Sequence, residues 1–317
     1  MYQRFYNLNE LPFSNELDLR FQYLSESYQE CLSRLIYGLH QGKGFVLLTG
    51  NSGSGKTYLI HIFLKKLVDV KHVALVSGQN LSAFELLRAI CRNLNLSGSG
   101  TKEELILRLN QFLVWRREDN EKVLIIIDDA HHLKSEVLEE IRLLSNFETG
   151  SHKLISIFLV GRNQLRDTLN LTSLRQLKQR ISVDARVDGF SLVHTRNYIR
   201  QRLDVVAFGD SELFSESAVR KLYELSGGVP GMINRMCDMA MMLGYFQNQK
   251  VIPEQIVKQV KLLLAHQEQD EPEFEIDAGE IHLPMNENKS VNRSYARWTA
   301  GILALIFSIL FVLELIL

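Results

Sequence analysis

The residues best suited to chemistry in this 317-residue chain lie together at Gly50-Asn51-Ser52-Gly53-Ser54-Gly55-Lys56-Thr57. Their spacing is GxxxxGK[ST], with an apolar strand before it and a helical pattern after it. Glycines at 50, 53 and 55 let the backbone curl until its N–H groups face one point. Phosphate oxygens fit there, helped by the positive end of the following helix. Lys56 neutralises β- and γ-phosphates, and Thr57 offers a hydroxyl to Mg²⁺.

A second acidic feature stands at Val123-Leu124-Ile125-Ile126-Ile127-Asp128-Asp129. Ligands of open parallel sheets bind beyond the C-terminal ends of the strands. Asp128 is therefore the candidate for holding Mg²⁺ through water, and Asp129 for orienting or activating an attacking water. His131 and His132 follow; with no third ligand evident they read as a polar loop pair rather than a metal site. Cys31, Cys91 and Cys237 show neither CxxC nor zinc spacing, which fits buried, reduced thiols.

The elements that must position these groups follow from the hydrophobic pattern. Gly44–Thr49, His72–Ser77, Val123–Ile127, Leu154–Val160 and a weaker Ile181–Val187 read as strands. Near-continuous apolar runs of this kind mark strands covered on both faces. Between them Lys56–Val68, Leu81–Asn93, Lys102–Arg117 and Ser135–Ser145 read as helices, after a first helix at Tyr28–His40. Alternation of strand and helix predicts an α/β layered domain with a parallel sheet. After about Asp188 the strands stop, and Val193–Leu203, Ser215–Leu225, Pro230–Leu243 and Pro253–His266 predict a small all-helical unit.

Lys+Arg number 36 against 37 Asp+Glu, so no global basic excess points to nucleic acid. Arg196, Arg200 and Arg202 on one helical stretch read as a solvated basic face. Residues 267–295 turn polar and acidic without periodicity, as in a flexible linker. Thr299–Leu317 then carries a single charge, Glu314. About 20 apolar residues span a bilayer core, so 296–317 predicts a transmembrane anchor. Trp298 suits the interface, and Arg293 and Arg297 before the span place the N-terminal bulk on the cytoplasmic side.

Beyond the phosphate loop, the chain resembles the AAA+ ATPases of the general secretion pathway protein A type, which serve type II secretion, pilus biogenesis and exosortase-linked loci. The resemblance rests on Phe5-Tyr6-x-Leu8 with Leu11-Pro12-Phe13, Arg20-Phe21-x-Tyr23-x-Ser25, Leu138 to Thr149, and Ser226-Gly227-Gly228-Val229-Pro230 with Ile233-Asn234. It covers roughly residues 1–262. It implies a family-specific segment at 1–43, an AAA+ core at 44–188, a helical lid at 189–266, ATP with Mg²⁺, and a homo-oligomeric ring such as a hexamer. It further implies ATP hydrolysis, which the three departures below make slow, coupled to a secretion, pilus or polysaccharide machine at the bacterial inner membrane. Leu174-Arg175-Gln176-Leu177-x-Gln179-Arg180-Ile181 matches the segment facing a neighbouring subunit. Arg180, with Arg175 as second choice, is the expected contact to the next protomer's γ-phosphate. Two other readings stay open: an ATP-dependent DNA-binding transposition helper, for which DNA is the less expected partner, and a nucleotide-gated scaffold with little turnover.

Three positions depart from the family's pattern. Asp129 stands where glutamate is usual and is one methylene shorter, and displacement of ~1 Å can cost ~100-fold in rate. Gly161-Arg162-Asn163-Gln164-Leu165 replaces Gly-Gln-Pro-Glu-Leu, so Arg162 sits where a glutamine senses the γ-phosphate. Gly231 replaces the arginine of a Gly-x-Pro-Arg lid motif, and Arg235 lies one helical turn later.

Overall fold

The computed structural model describes residues 2–269 apart from 15, 16, 43, 68, 69, 120, 146, 150, 151 and 207–211. The chain runs α1 (Glu26–His40), β1 (Phe45–Gly50), α2 (Lys56–Lys66), β2 (His72–Ser77), α3 (Ala83–Asn93), α4 (Lys102–Glu118), β3 (Val123–Asp128) and α5 (Ser135–Leu144). A short antiparallel pair follows, β4 (Glu148–Thr149) with β5 (His152–Lys153). Then come β6 (Ile155–Gly161), α6 (Gln164–Leu169), α7 (Arg175–Arg180) and β7 (Ile181–Val187). Four helices end the described chain: α8 (Leu192–Val206), α9 (Glu216–Ser226), α10 (Pro230–Phe246) and α11 (Glu254–Gln269).

The five long strands form one sheet of order β2-β3-β6-β1-β7, parallel throughout. Alternate residues of each strand serve opposite faces. Val46, Leu48, Leu124, Ile126, Phe158 and Val160 join one core with α1, α2 and the helical unit. Phe45, Leu47, Ile125, Ile127, Ile157 and Leu159 join a second core under α3 to α7. Burial on both faces is why β1, β3 and β6 lack polar alternation. The edge strand β7 alternates instead, with Val183, Ala185 and Val187 inward and Ser182, Asp184 and Arg186 exposed. That half-polar pattern accounts for its weaker sequence signal.

Helix starts are written locally. Ser82 with Glu85 and Thr101 with Glu104 form capping boxes at α3 and α4. The hydrophobic pattern did not reveal α6, α7 or the β4–β5 pair, each too short to show a period.

Tyr2, Tyr6, Phe13 and Phe21 bear directly on the helical unit. Tyr2, Tyr6 and Phe13 are buried in the same core as Ile199, Phe214 and Met241. The Tyr2 hydroxyl donates to the Asp238 carboxylate, and Tyr6 donates to the Gln249 carbonyl at 3.0 Å. Lys250 Nζ donates to the Phe5 carbonyl at 2.6 Å.

Arg202 corrects the reading of a solvated basic face. It is 6% exposed, and it donates to the carbonyls of Pro12 at 2.5 Å and Ser14 at 2.9 Å and to the Tyr198 hydroxyl at 2.7 Å. Its guanidinium also lies 4.6 Å from the Phe21 ring centroid. Arg196 pairs with Glu216. The three cysteines are buried and free, as expected. The linker at 267–295, save the end of α11, and the apolar segment at 296–317 lie outside the described residues. Among the described residues no helix is long and apolar enough to cross a membrane.

Candidate nucleotide-binding site

The sheet order sets the site. Because β6 lies between β1 and β3, three chain turns meet at one sheet edge: the loop after Gly50, the Gly161-Arg162 turn, and Asp128-Asp129. Only glycine fits at 50, where a Cβ would stand 2.6 Å from the Val187 carbonyl oxygen and 2.7 Å from Ser54 Oγ. Gly55 takes φ 83 at the N-cap of α2, leaving that helix end without a side-chain cap. Beneath it, the buried Tyr28 hydroxyl donates to the Ser54 carbonyl.

Lys56 is 8% exposed, and its Nζ donates to the carbonyls of Gly50 at 3.1 Å and Asn51 at 2.8 Å. Burial holds its pKa below the usual lysine value, opposed by the nearby Asp128 and Asp129. Thr57 Oγ1 donates to Asp128 Oδ2 at 2.6 Å, and Asp128 Oδ1 accepts from the Asp129 N–H at 2.9 Å. Hydroxyl and carboxylate thus converge from α2 and β3. Two hard oxygen donors beside a phosphate loop suit Mg²⁺, which takes a few protein oxygens plus phosphate. Among the described residues no cluster of three His, Cys, Asp or Glu side chains forms a separate metal site. Asp129 has left-handed backbone, φ 53, and its Oδ2 accepts from Gln79 Nε2 at 3.2 Å.

A cavity of about 790 Å³ opens over the loop. Ser52, Gly53, Gly55, Lys56 and Thr57 line it, as do Asp129 and Arg162. Gly50, Asn51 and Ser54 do not line it; Gly50 and Ser54 are buried, and Asn51 is exposed. Tyr23, Tyr28, Phe190 and Tyr198 give the far wall an aromatic surface. Arg180 and Arg175 do not line this cavity: Arg180 Nη1 donates to Ser145 Oγ at 2.7 Å, and Arg175 is exposed.

Two contacts escaped the sequence reading. Asn163 Nδ2 donates to Asn51 Oδ1 at 2.8 Å, tying the turn after β6 to the phosphate loop. The Gly231 N–H donates to the Gly53 carbonyl at 2.9 Å, seating the first turn of α10 on that loop. A Cβ at 231 would approach Gly53 Cα to 3.1 Å and Gly53 O to 3.2 Å. Close backbone approach therefore explains glycine at a position where the family pattern has arginine. Arg235, one turn along, lines the cavity.

The chain matches a family model described as AAA domain over residues 39–169. It is 36% identical over 248 residues to general secretion pathway protein A of Aeromonas hydrophila, covering 77% of this chain and 45% of that protein. This chain carries an AAA+ domain of the general secretion pathway protein A type. It is also 33% identical over 116 residues to the Mu-like prophage FluMu DNA transposition protein B of Haemophilus influenzae, 37% of each chain. The chain thus spans less than half the length of each of these relatives. Its fold is similar to that of Cdc6p from Pyrobaculum aerophilum, with a TM-score of 0.62, 17% identity, and coverage of 81% of this chain and 71% of that one. The AAA+ fold expected from the sequence is thereby found, with its five-stranded parallel sheet.

Proposed function

We propose that this chain is a membrane-tethered AAA+ ATPase that binds and slowly hydrolyses ATP to assemble or energise an envelope secretion, pilus or polysaccharide machine. The observation that carries the nucleotide reading is the convergence of Thr57 Oγ1 and Asp128 Oδ2 at 2.6 Å beside the buried Lys56. In this reading the loop amides from Gly50 to Thr57 and Lys56 take the phosphates, and Arg162 adds charge at the γ-phosphate end. Thr57 and Asp128 hold Mg²⁺, which neutralises charge developing between the β- and γ-phosphates. Asp129 receives the proton of the attacking water, its short reach setting a low rate. Arg180 acts across a ring interface on the neighbour's nucleotide. The family resemblance supports a ring and an envelope partner, and the apolar segment 296–317 supports single-pass anchoring with the ATPase on the cytoplasmic face of the inner membrane.

Titration calorimetry of the detergent-solubilised full chain with Mg·ATP tests the nucleotide reading. Binding is expected in the wild type and lost in Lys56→Ala. No heat from the wild type sinks the proposal. Rapid turnover by the isolated chain without a partner would refute slow hydrolysis and leave binding intact.

The match to a transposition protein supports a second reading, an ATP-dependent DNA-binding helper. Arg202 counts against it, because that cation is spent inside the protein. A titration with duplex DNA decides: affinity falling steeply with salt would favour the DNA reading.

A further inference from the structure

The Asp129 carboxylate lies between two groups from different elements. On one side Gln79 Nε2 lies 3.2 Å from Oδ2. On the other, His131 Nδ1 lies 3.9 Å from Oδ1, about 1 Å beyond hydrogen-bond length. The His131 side chain is 3% exposed, and among the described residues neither ring nitrogen has a hydrogen-bond partner. Buried polar groups are ordinarily satisfied. Among the described residues the nearest carboxylate is that of Asp129.

Residues 130–132 form a single 3₁₀ turn directly after Asp129. The turn packs on the end of β6, where a Cβ at Gly161 would stand 3.2 Å from His131 N and 3.4 Å from His131 Cβ. The His132 ring lies against it, with centroids 4.1 Å apart. His131 is thereby wedged between the strand that delivers Asp129 and the strand that delivers Arg162. Burial, reinforced by His132, lowers its pKa below the usual histidine value, which favours the neutral ring. A neutral imidazole carries one N–H and one lone pair.

We propose that His131 is a positioning residue for Asp129: in the nucleotide-loaded site its Nδ1–H closes on Oδ1 while the Gln79 amide holds Oδ2, gripping the carboxylate from opposite sides. Asp129 lines the cavity, and the two donors fix the plane of its carboxylate. A glutamate arm would reach the attacking water with an extra methylene. The aspartate lacks that length, and a fixed orientation limits the loss. This inference rests on the nucleotide reading of the site.

The test uses the full chain in detergent, labelled with ¹⁵N-histidine and loaded with Mg·ADP and aluminium fluoride. Disappearance of one imidazole signal in His131→Asn assigns residue 131 among the nine histidines. The expected spectrum has the proton on Nδ1 and a bare Nε2. In parallel, His131→Phe is expected to lower kcat by roughly 10- to 100-fold, the scale of a ~1 Å misplacement. Its KM for Mg·ATP stays within about two-fold, and His131→Asn, which retains an N–H near the same place, recovers most of kcat. An Nε2–H tautomer in the loaded protein overturns the proposal, as does a His131→Phe enzyme that turns over like the wild type. The tautomer is read on the wild type, so neither slow turnover nor misfolding of the phenylalanine variant blocks the decision. A wild type that takes up no nucleotide overturns instead the reading of the whole site, an outcome plainly different from a wrong tautomer.

Discussion

Replacing Gly231 with alanine sets two physical terms against each other. Gly231 is the second residue of α10, and alanine is favoured over glycine in a helix by up to about 1 kcal/mol. Against this, the new methyl would stand 3.1 Å from Gly53 Cα and 3.2 Å from Gly53 O. Both neighbours are backbone and cannot swing aside. Relief requires α10 to lift by a few tenths of an ångström, which stretches the 2.9 Å hydrogen bond from Gly231 N–H to Gly53 O. Such a bond contributes about 0.5–1.5 kcal/mol. For global stability the two terms nearly cancel, so the thermal midpoint is expected to move by less than about 4 °C. For nucleotide binding only the second term counts, because the cavity proposed to take the nucleotide is lined by both loop and helix. Affinity for Mg·ADP is expected to fall about two- to ten-fold. Calorimetric titration with Mg·ADP and a thermal scan of the full chain measure both quantities. Gly231→Arg, which restores the family's arginine, is expected to lose more than alanine does. An alanine variant that binds Mg·ADP as tightly as the wild type would show that seating α10 on the loop does not support the site.

Three further outcomes follow from particular contacts. Glu121 accepts from Lys71, His72 and Arg116, which lower its pKa to about 2; a depressed carboxylate stabilises the fold above its unfolded value near ~4.3 and loses that contribution as pH falls toward the folded value. Glu121→Gln is therefore expected to flatten the drop in thermal midpoint across that acid window, and parallel curves for the two proteins would refute it. Tyr28→Phe leaves the Ser54 carbonyl without its buried donor, and denaturant titration is expected to show a loss of about 1–3 kcal/mol. Arg202→Leu removes three hydrogen bonds, two of them to carbonyls of the N-terminal segment; the expected loss is roughly 3 kcal/mol, with limited proteolysis cutting first within residues 2–24, and unchanged cleavage kinetics would argue that the segment is held by apolar burial alone.

The parts of this molecule legible in its sequence are those where one residue type has one physical use. Gly50, Gly55 and Lys56 could be read because a backbone that wraps phosphate tolerates few alternatives. The strands β1, β3 and β6 could be read because burial on both faces leaves no polar residue to blur the pattern. Tyr28 escaped because a helix-forming aromatic looks like any core residue until its hydroxyl is seen under the loop. Arg202 was misread because charge spacing along a helix does not say which face the N-terminal segment will cover. Asn163 and Gly231 stood out only as departures, since their partners Asn51 and Gly53 are more than a hundred residues away. Arg162 was ambiguous in sequence and lines the cavity in the structure.

The stitching of the first residues into the helical unit has a consequence for how the protein is made. Tyr2 and Asp238 are separated by 236 positions, Tyr6 and Gln249 by 243, and Phe5 and Lys250 by 245. A ribosome adding about 5–20 residues per second keeps Tyr2, Tyr6 and Phe13 waiting on the order of 10–50 s for their partners. During that interval three aromatic side chains are exposed on the nascent chain, a natural target for a holdase. The sheet and its phosphate loop finish first, and the wall of the pocket supplied by Pro230, Gly231 and Arg235 is added only when α10 has emerged.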